Sequence, residues 1–203
     1  YKFNVYVGVP TKAVKLSAKA VNMFKGTSRT LKASIAPKNA TYKGIQWSSS
    51  DKRIATVSSK GVVKAVKVGT VYITAKAMDG SGKYARCKIT VKQPVTSIKL
   101  SAATLTITEG SSKTLTATVA PASATRKTLS WTSSNKKIAT VSAKGVVKAI
   151  APGTATITAK AADGSGKKAT CKVTVKKKVT VENKYESQGY KPVSYTHLRA
   201  HET

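Results

Sequence analysis

The chain has 203 residues and a formal net charge of +30, because 37 Lys and Arg stand against 7 Asp and Glu. A hydrophobic fraction of 40% is enough to build a core, which excludes a disordered polybasic tail. No apolar run approaches the ~18 residues of a membrane-spanning helix, and so few carboxylates leave little material for acid–base catalysis or calcium binding. The charge alone favours a nucleic acid or another anionic partner.

Two terminal segments are set apart before the fold is predicted. Residues 193–203 read VSYTHLRAHET, which resembles a translated sequencing adapter, so we expect this tail to be an artefact. It contains both histidines, His197 and His201, whose spacing would otherwise indicate a metal-binding pair. Residues 178–192 have no counterpart elsewhere in the chain, and we expect them to be a linker to a missing region.

The chain is a tandem repeat with a period of 84 residues, and about 60% of positions 15–92 are identical in the second copy. The clearest matches are Lys15–Ala18 with Lys99–Ala102, Trp47 with Trp131, Asp79–Lys83 with Asp163–Lys167, and Cys87 with Cys171. A period of this length is typical of a small domain. We therefore predict domain 1 at 11–93 and domain 2 at 94–177. Residues 1–10 resemble the last strand of a truncated preceding repeat, since Val5, Val7 and Pro10 align with Ile89, Val91 and Pro94.

Within each copy the apolar residues alternate with polar ones. Leu31, Ala33 and Ile35 form one such series, and Cys87, Ile89 and Val91 belong to another. This alternation is typical of half-buried antiparallel strands, and turn signals recur every 8–12 residues. About seven short strands per copy predict an all-β fold of antiparallel β-sandwiches. The only other local structure we expect is a single turn near residues 49–53.

A set of short motifs in each copy resembles the bacterial Ig-like group 2 domain. In the first copy they are Trp47–Ser50, Ile54–Ser58, Gly61–Val63, Gly69–Thr70 and Ile73–Ala75. In the second copy they are Trp131–Ser134, Ile138–Ser142, Gly145–Val147, Gly153–Thr154 and Ile157–Ala159. The resemblance implies an Ig-like sandwich in a bacterial surface or secreted protein. Members of the family serve as stalks and adhesive modules in intimin- and invasin-like adhesins, or as accessory domains of large surface enzymes.

Two residue types invite a functional interpretation in each copy. Trp47 and Trp131 could form a platform for a sugar ring. However, the period-2 pattern places each Trp on the same side of its strand as apolar neighbours, which favours core packing, as for the core Trp of Ig sandwiches. Cys87 and Cys171 lie one per domain, so neither has a partner for a disulfide within its own core. We expect both cysteines to act as small buried hydrophobic residues rather than nucleophiles.

The repeated loops Asp79–Lys83 and Asp163–Lys167 faintly resemble phosphate-binding or calcium-binding loops. They lack the spacing of a P-loop and supply one carboxylate each, which is too few for calcium. We interpret them as glycine-rich hairpin turns. The other acids before residue 193 are Asp51, Glu109, Glu182 and Glu186. No catalytic pair, cofactor site or metal site can be assembled from this set, and we predict that the chain is not an enzyme.

Most of the lysines occupy the polar, outward-facing positions of the predicted strands or lie at turns. The set comprises Lys60, Lys64, Lys76, Lys88, Lys92, Lys144, Lys148, Lys160, Lys172 and Lys176. Such residues protect strand edges and keep the protein soluble, or they attract polyanions such as wall teichoic acids, acidic glycans or nucleic acid. Sequence-specific nucleic-acid binding is disfavoured because Arg is scarce and no aromatic stripe alternates with the charges.

These features predict a non-catalytic structural and adhesive stalk at a bacterial cell surface or outside the cell, with weak electrostatic affinity for anionic polymers. The joint Lys92–Val95 is short and contains Pro94, so we expect little swing between the domains. The alternative is the accessory region, a spacer or carbohydrate-binding part, of a larger secreted enzyme whose catalytic domain is absent. In either case the other domains of the same longer chain are partners.

Overall fold

The structure, a computed structural model, describes residues 8–179. All regular secondary structure in this part of the chain is β-strand, and no helix in it is long and apolar enough to cross a bilayer. Val5, Val7, the segment 180–192 and the tail 193–203 lie outside the described residues. The predictions for the preceding strand, for most of the linker and for the adapter tail therefore stay predictions.

The two copies carry the same succession of nine short strands. The first copy contains β1 (Ala13–Leu16), β2 (Ala20–Phe24), β3 (Ser28–Thr30), β4 (Ala33–Ala36), β5 (Ile45–Ser49), β6 (Ala55–Val57), β7 (Val62–Ala65), β8 (Gly69–Ala77) and β9 (Tyr84–Lys92). The second contains β10 (Ser97–Leu100), β11 (Thr104–Thr108), β12 (Ser112–Thr114), β13 (Ala117–Ala120), β14 (Leu129–Ser133), β15 (Ala139–Val141), β16 (Val146–Ala149), β17 (Gly153–Ala161) and β18 (Lys168–Lys176).

In the first copy a four-stranded sheet, in the order β2-β9-β8-β5, packs against a three-stranded sheet, β3-β7-β6. One core cluster draws Ile73 and Cys87 from the first sheet and Ala55 and Val63 from the second, and all four are fully buried. The alternating burial along β8 places Ile73 on the inward face of the sheet, and the strand register sets it directly opposite Cys87 on β9. A third sheet, formed by the two strands β1 and β4, completes the copy. The predicted β-sandwich is confirmed.

The second copy repeats this arrangement. Its four-stranded sheet has the order β11-β18-β17-β14, its three-stranded sheet the order β12-β16-β15, and its remaining pair is β10-β13. Ile157 again lies opposite Cys171, and Ala139 and Val147 join them at full burial. Identical residues therefore occupy the centre of both cores, although some other core positions differ, such as Val71 in the first copy and Ala155 in the second.

Each copy has nine strands where the sequence predicts about seven, and two further details differ from that prediction. The alternating run through Leu31, Ala33 and Ile35 is not one strand but two, because the chain leaves the three-stranded sheet at Leu31 and turns to pair with β1. Ser17 and Lys32 fix this crossing through two hydrogen bonds. In addition, β2 pairs with β9 in parallel. These strands come from opposite ends of the copy, so no tight hairpin turn joins them and imposes antiparallel pairing.

Candidate functional site

Trp47 lies on β5, an edge strand of the four-stranded sheet, and it is half-buried. Its ring packs against the core and reaches the turn before β7 in the other sheet. There a Cβ on Gly61 would lie 2.8 Å from Trp47 Cζ2 and would also collide with the carbonyl oxygen of Leu31. Trp131 repeats this contact with Gly145. The predicted packing of the Trp rings on the core is confirmed, and the edge position explains why each ring is only half-buried.

The two cysteines are fully buried and unpaired. Burial raises the pKa of the Cys87 thiol and of the Cys171 thiol, so the reactive thiolate is disfavoured in both copies. Each Sγ has only a weak contact with the carbonyl oxygen of the following lysine, at 3.9 Å for Cys87 and 3.8 Å for Cys171. Both residues therefore serve as small core residues, as the sequence predicts.

The loop Asp79–Lys83 has a structural role that goes beyond a glycine turn. Asp79 Oδ1 accepts a hydrogen bond from the Ser81 backbone N–H at 3.0 Å, and Oδ2 accepts one from the Thr11 backbone N–H at 2.7 Å. Hydrogen bonds from Ser81 and Thr11 hold the pKa of the Asp79 carboxyl well below its usual range. The carboxylate thus ties the loop to the start of its own copy, 68 residues earlier.

Asp163 makes the equivalent hydrogen bonds in the second copy, to the backbone N–H groups of Ser165 and Val95 at 2.9 Å and 2.7 Å. Partial burial raises the pKa of Asp163, but the hydrogen bonds from Ser165 and Val95 outweigh it, so the pKa is lowered overall. In both loops the two carboxylate oxygens are occupied by backbone donors. These hydrogen bonds could not be predicted from local sequence, because the residue that donates to each Asp from outside its loop lies at the far end of the copy.

The other described acids also have structural partners. Asp51 forms an ion pair with Arg53 at 2.9 Å, and the hydrogen bond from the Arg53 side chain lowers the pKa of Asp51. Glu109 Oε2 lies 3.5 Å from the backbone nitrogen of Lys178. Within residues 8–179 no group of three or more His, Cys, Asp and Glu side chains is placed to hold a metal ion. Glu182 and Glu186 lie outside the described residues.

The lysines predicted to face outward do so. Of the ten that the sequence pattern selects, nine are exposed and Lys92 is half-buried. They occur in both copies and on both sheets, for example Lys64 on β7 and Lys88 on β9. The positive charge is therefore dispersed over the surfaces of both sandwiches.

One surface differs from the sequence prediction, which found no aromatic residues alternating with the charges. On the outer side of β8 and β9, Tyr72 and Tyr84 are 46% and 55% exposed. In the strand register Tyr72 is opposite Lys88 and Tyr84 is opposite Lys76, and the guanidinium carbon of Arg86 lies 5.1 Å from the centre of the Tyr84 ring. We call these five residues the aromatic face. The alternation along β8 and β9 was the signal that could have located it.

Comparison with known proteins agrees with this architecture. The family described as bacterial Ig-like domain (group 2) matches residues 10–89 and 94–173. The chain is 37% identical over 163 residues to an uncharacterised protein of Clostridium acetobutylicum and 41% identical over 172 residues to an Ig-like virion protein of Serratia phage KSP90. It is 54% identical over 88 residues to a kappa-carrageenase of Pseudoalteromonas carrageenovora.

These relatives are longer than the region they share with this chain. The aligned regions cover 80%, 82% and 43% of this chain, but 17% of the clostridial protein, 66% of the virion protein and 21% of the carrageenase. The shared module thus occurs in proteins with different names and different lengths.

Proposed function

Because the chain belongs to the bacterial Ig-like domain (group 2) family, we propose that it is a non-catalytic structural and adhesive module of a protein displayed outside the cell. Residues 11–93 and 94–177 are its two domains, and dispersed lysines give them a weak affinity for anionic polymers. The carbohydrate-related and virion-related names among its relatives support a place at a surface or outside the cell.

The observation that carries this proposal is the outward placement of lysine in both copies. Exposed side chains such as Lys60, Lys64, Lys144 and Lys148 occur at equivalent positions of the two sandwiches. In contrast, the described carboxylates in the turns, Asp51, Asp79 and Asp163, are engaged by neighbouring donors. Because Lys and Arg outnumber Asp and Glu by 37 to 7, the surfaces attract a polyanion over a broad area, with little opposing charge.

Binding of the full chain to polyphosphate tests the electrostatic part of this proposal. We expect the dissociation constant to rise at least ~10-fold between ~50 and ~200 mM salt, because neutralising phosphates releases counterions. Two matched double variants, Lys60→Ser with Lys64→Ser and Lys144→Ser with Lys148→Ser, should weaken binding to a similar degree. Binding that does not change with salt would contradict the proposal and indicate a ligand recognised by shape.

A second candidate function is the accessory region of a secreted polysaccharide-degrading enzyme. It is favoured by one observation, the 54% identity to part of a kappa-carrageenase. The two candidates differ in what the same gene encodes next to this module. A hydrolase domain would support the accessory role, whereas further Ig-like repeats and a cell-wall anchor would support the stalk. Sequencing of the flanking coding region therefore separates them.

A further inference from the structure

The aromatic face exists in only one copy of the repeat. Tyr72 and Tyr84 of the first copy are replaced by Thr156 and Lys168 in the second, and Arg86 is replaced by Thr170. The two lysines of the face are retained as Lys160 and Lys172. Each face consequently carries three cations, and only the first has exposed aromatic rings.

Strand register fixes the dimensions of this face. Tyr72 is opposite Lys88, and Tyr84 precedes Lys88 by four residues on β9. A strand rises ~3.4 Å per residue, so the Cα atoms of the two tyrosines are about 14 Å apart along the sheet. Arg86 lies between them in the register, opposite Thr74. Its position over the Tyr84 ring is a cation–π contact.

The chemistry of the face matches a polymer that has flat apolar surfaces and negative charges. Exposed tyrosine rings offer an apolar surface with a polar tip, on which the C–H face of a sugar ring can stack. Lys76, Arg86 and Lys88 can pair with carboxylate or sulfate groups, and Arg86 can do so through two parallel hydrogen bonds. None of the outward-facing residues of β5, β8 and β9 is acidic.

Spacing favours a polysaccharide over a single-stranded nucleic acid. Bases that stack on successive aromatic rings follow one another at ~3.4 Å in a stacked strand. The two tyrosines are roughly four times farther apart, with a cation between them. A flexible single strand would have to hold its bases apart to use both rings, whereas an extended chain of sugars can lie across the open sheet.

We infer that the aromatic face of β8 and β9, formed by Tyr72, Tyr84, Arg86, Lys76 and Lys88, binds an anionic polysaccharide. This inference rests on the proposed adhesive function and deepens it by naming the surface and the class of ligand. The two tyrosines distinguish polysaccharides from other polyanions. The three cations supply electrostatic affinity, which the equivalent face of the second copy also has.

A charge-neutral exchange between the copies tests this inference. In the full chain, Tyr72→Thr, Tyr84→Lys and Arg86→Thr together convert the first face to that of the second without changing the net charge. The probes are two anionic polysaccharides, polygalacturonate and dextran sulfate. Two other polyanions serve as controls: polyphosphate, which has no rings that can stack, and a thymidine oligonucleotide, which has bases that can stack. We expect the exchange to weaken binding to an anionic polysaccharide by roughly 5- to 30-fold, and to leave polyphosphate binding unchanged.

The reciprocal variant, Thr156→Tyr with Lys168→Tyr and Thr170→Arg, should raise polysaccharide affinity by a similar factor. Both variants use residues that the other copy already holds at the same register, and a thermal melt of each variant checks that it folds. Unchanged polysaccharide binding in the first variant would overturn the inference, as would an equal loss for polyphosphate or a loss for the oligonucleotide alone. If wild-type polyphosphate binding is absent while the tyrosine-dependent binding remains, the proposed electrostatic function fails and the inference stands.

Discussion

The two copies of the repeat share the central residues of their cores, whereas the outer face of β8 and β9 differs from that of β17 and β18. Ala55, Val63, Ile73 and Cys87 recur unchanged in the second copy, at the same full burial. On the outer side of the same strands, Tyr72 becomes Thr156 and Tyr84 becomes Lys168. A packed core tolerates little change in volume, whereas an exposed strand position can change at small cost. The copies thus share a scaffold and differ in what their surfaces can bind.

The largest effect we expect comes from the residue that closes the edge of each sandwich. Trp47→Ala should destabilise the first copy by about 3 kcal/mol, because it removes a large ring that packs between the sheets. Trp131→Ala should cost the second copy a similar amount. Urea denaturation followed by circular dichroism measures both, and the remaining Trp reports by fluorescence on the unaltered copy.

Unequal costs of the two Trp substitutions would break the equivalence of the cores. A Trp47→Ala protein that keeps its stability but loses binding to polysaccharides would instead support the sugar-platform interpretation of this ring.

The next effect separates backbone conformation from crowding. Gly61 and Gly26 both adopt positive φ, +77° and +86°, but a Cβ meets the Leu31 carbonyl and Trp47 at the first and nothing within 4 Å at the second. We expect Gly61→Ala to cost about 2–3 kcal/mol and Gly26→Ala about 1 kcal/mol. Denaturation midpoints of the two variants give the difference, and equal midpoints would show that the contacts of Gly61 with Leu31 and Trp47 relax at little cost.

Sequence patterns located the inward residues of this fold because period-2 alternation is a local property. Ile73 and Cys87 were assigned to the core, and Lys64 and Lys88 to the surface, from this pattern alone. The break of the strand at Leu31 and the parallel pairing of β2 with β9 depend on segments far apart in sequence. No local pattern encodes them.

The candidate site divides in the same way. The outward phase of Tyr72 was visible in the sequence, but its alignment with Lys88 and the position of Arg86 over Tyr84 required the register between strands. The hydrogen bond from Thr11 to Asp79 spans 68 residues and had no signal beyond the repetition of the Asp itself.

A smaller effect is expected at the buried thiols. Cys87→Ser should cost about 2 kcal/mol because it buries a hydroxyl group in an apolar core, and Cys87→Ala about 1 kcal/mol because it leaves only a small cavity. The same pair of substitutions at Cys171 should give matching values. Thiol titration with an aromatic disulfide reagent should label neither cysteine in the native chain and both in denaturant. Rapid labelling of either native thiol would contradict its role as an inert core residue.

The smallest effect should distinguish the copies by their response to acid. The folded-state pKa of Asp79 is lowered, so its ionised carboxylate stabilises the fold at pH values above the unfolded pKa of ~3.9. This contribution is lost as the pH falls from ~4 towards the folded-state pKa. The pKa of Asp163 is lowered as well, but partial burial of this carboxyl opposes the shift. The first copy should therefore lose more stability than the second between pH 5 and about 2.5.

Single-Trp variants resolve the two copies in this experiment. Trp131→Phe leaves Trp47 to report on the first copy, and Trp47→Phe leaves Trp131 to report on the second. Asp79→Asn should reduce the acid dependence of the first copy and leave that of the second unchanged, since an amide does not titrate, although its single oxygen can accept only one of the two hydrogen bonds. An undiminished acid dependence after Asp79→Asn would assign the effect to another carboxylate. Equal slopes in the two wild-type copies would mean that the partial burial of Asp163 does not reduce its contribution to stability.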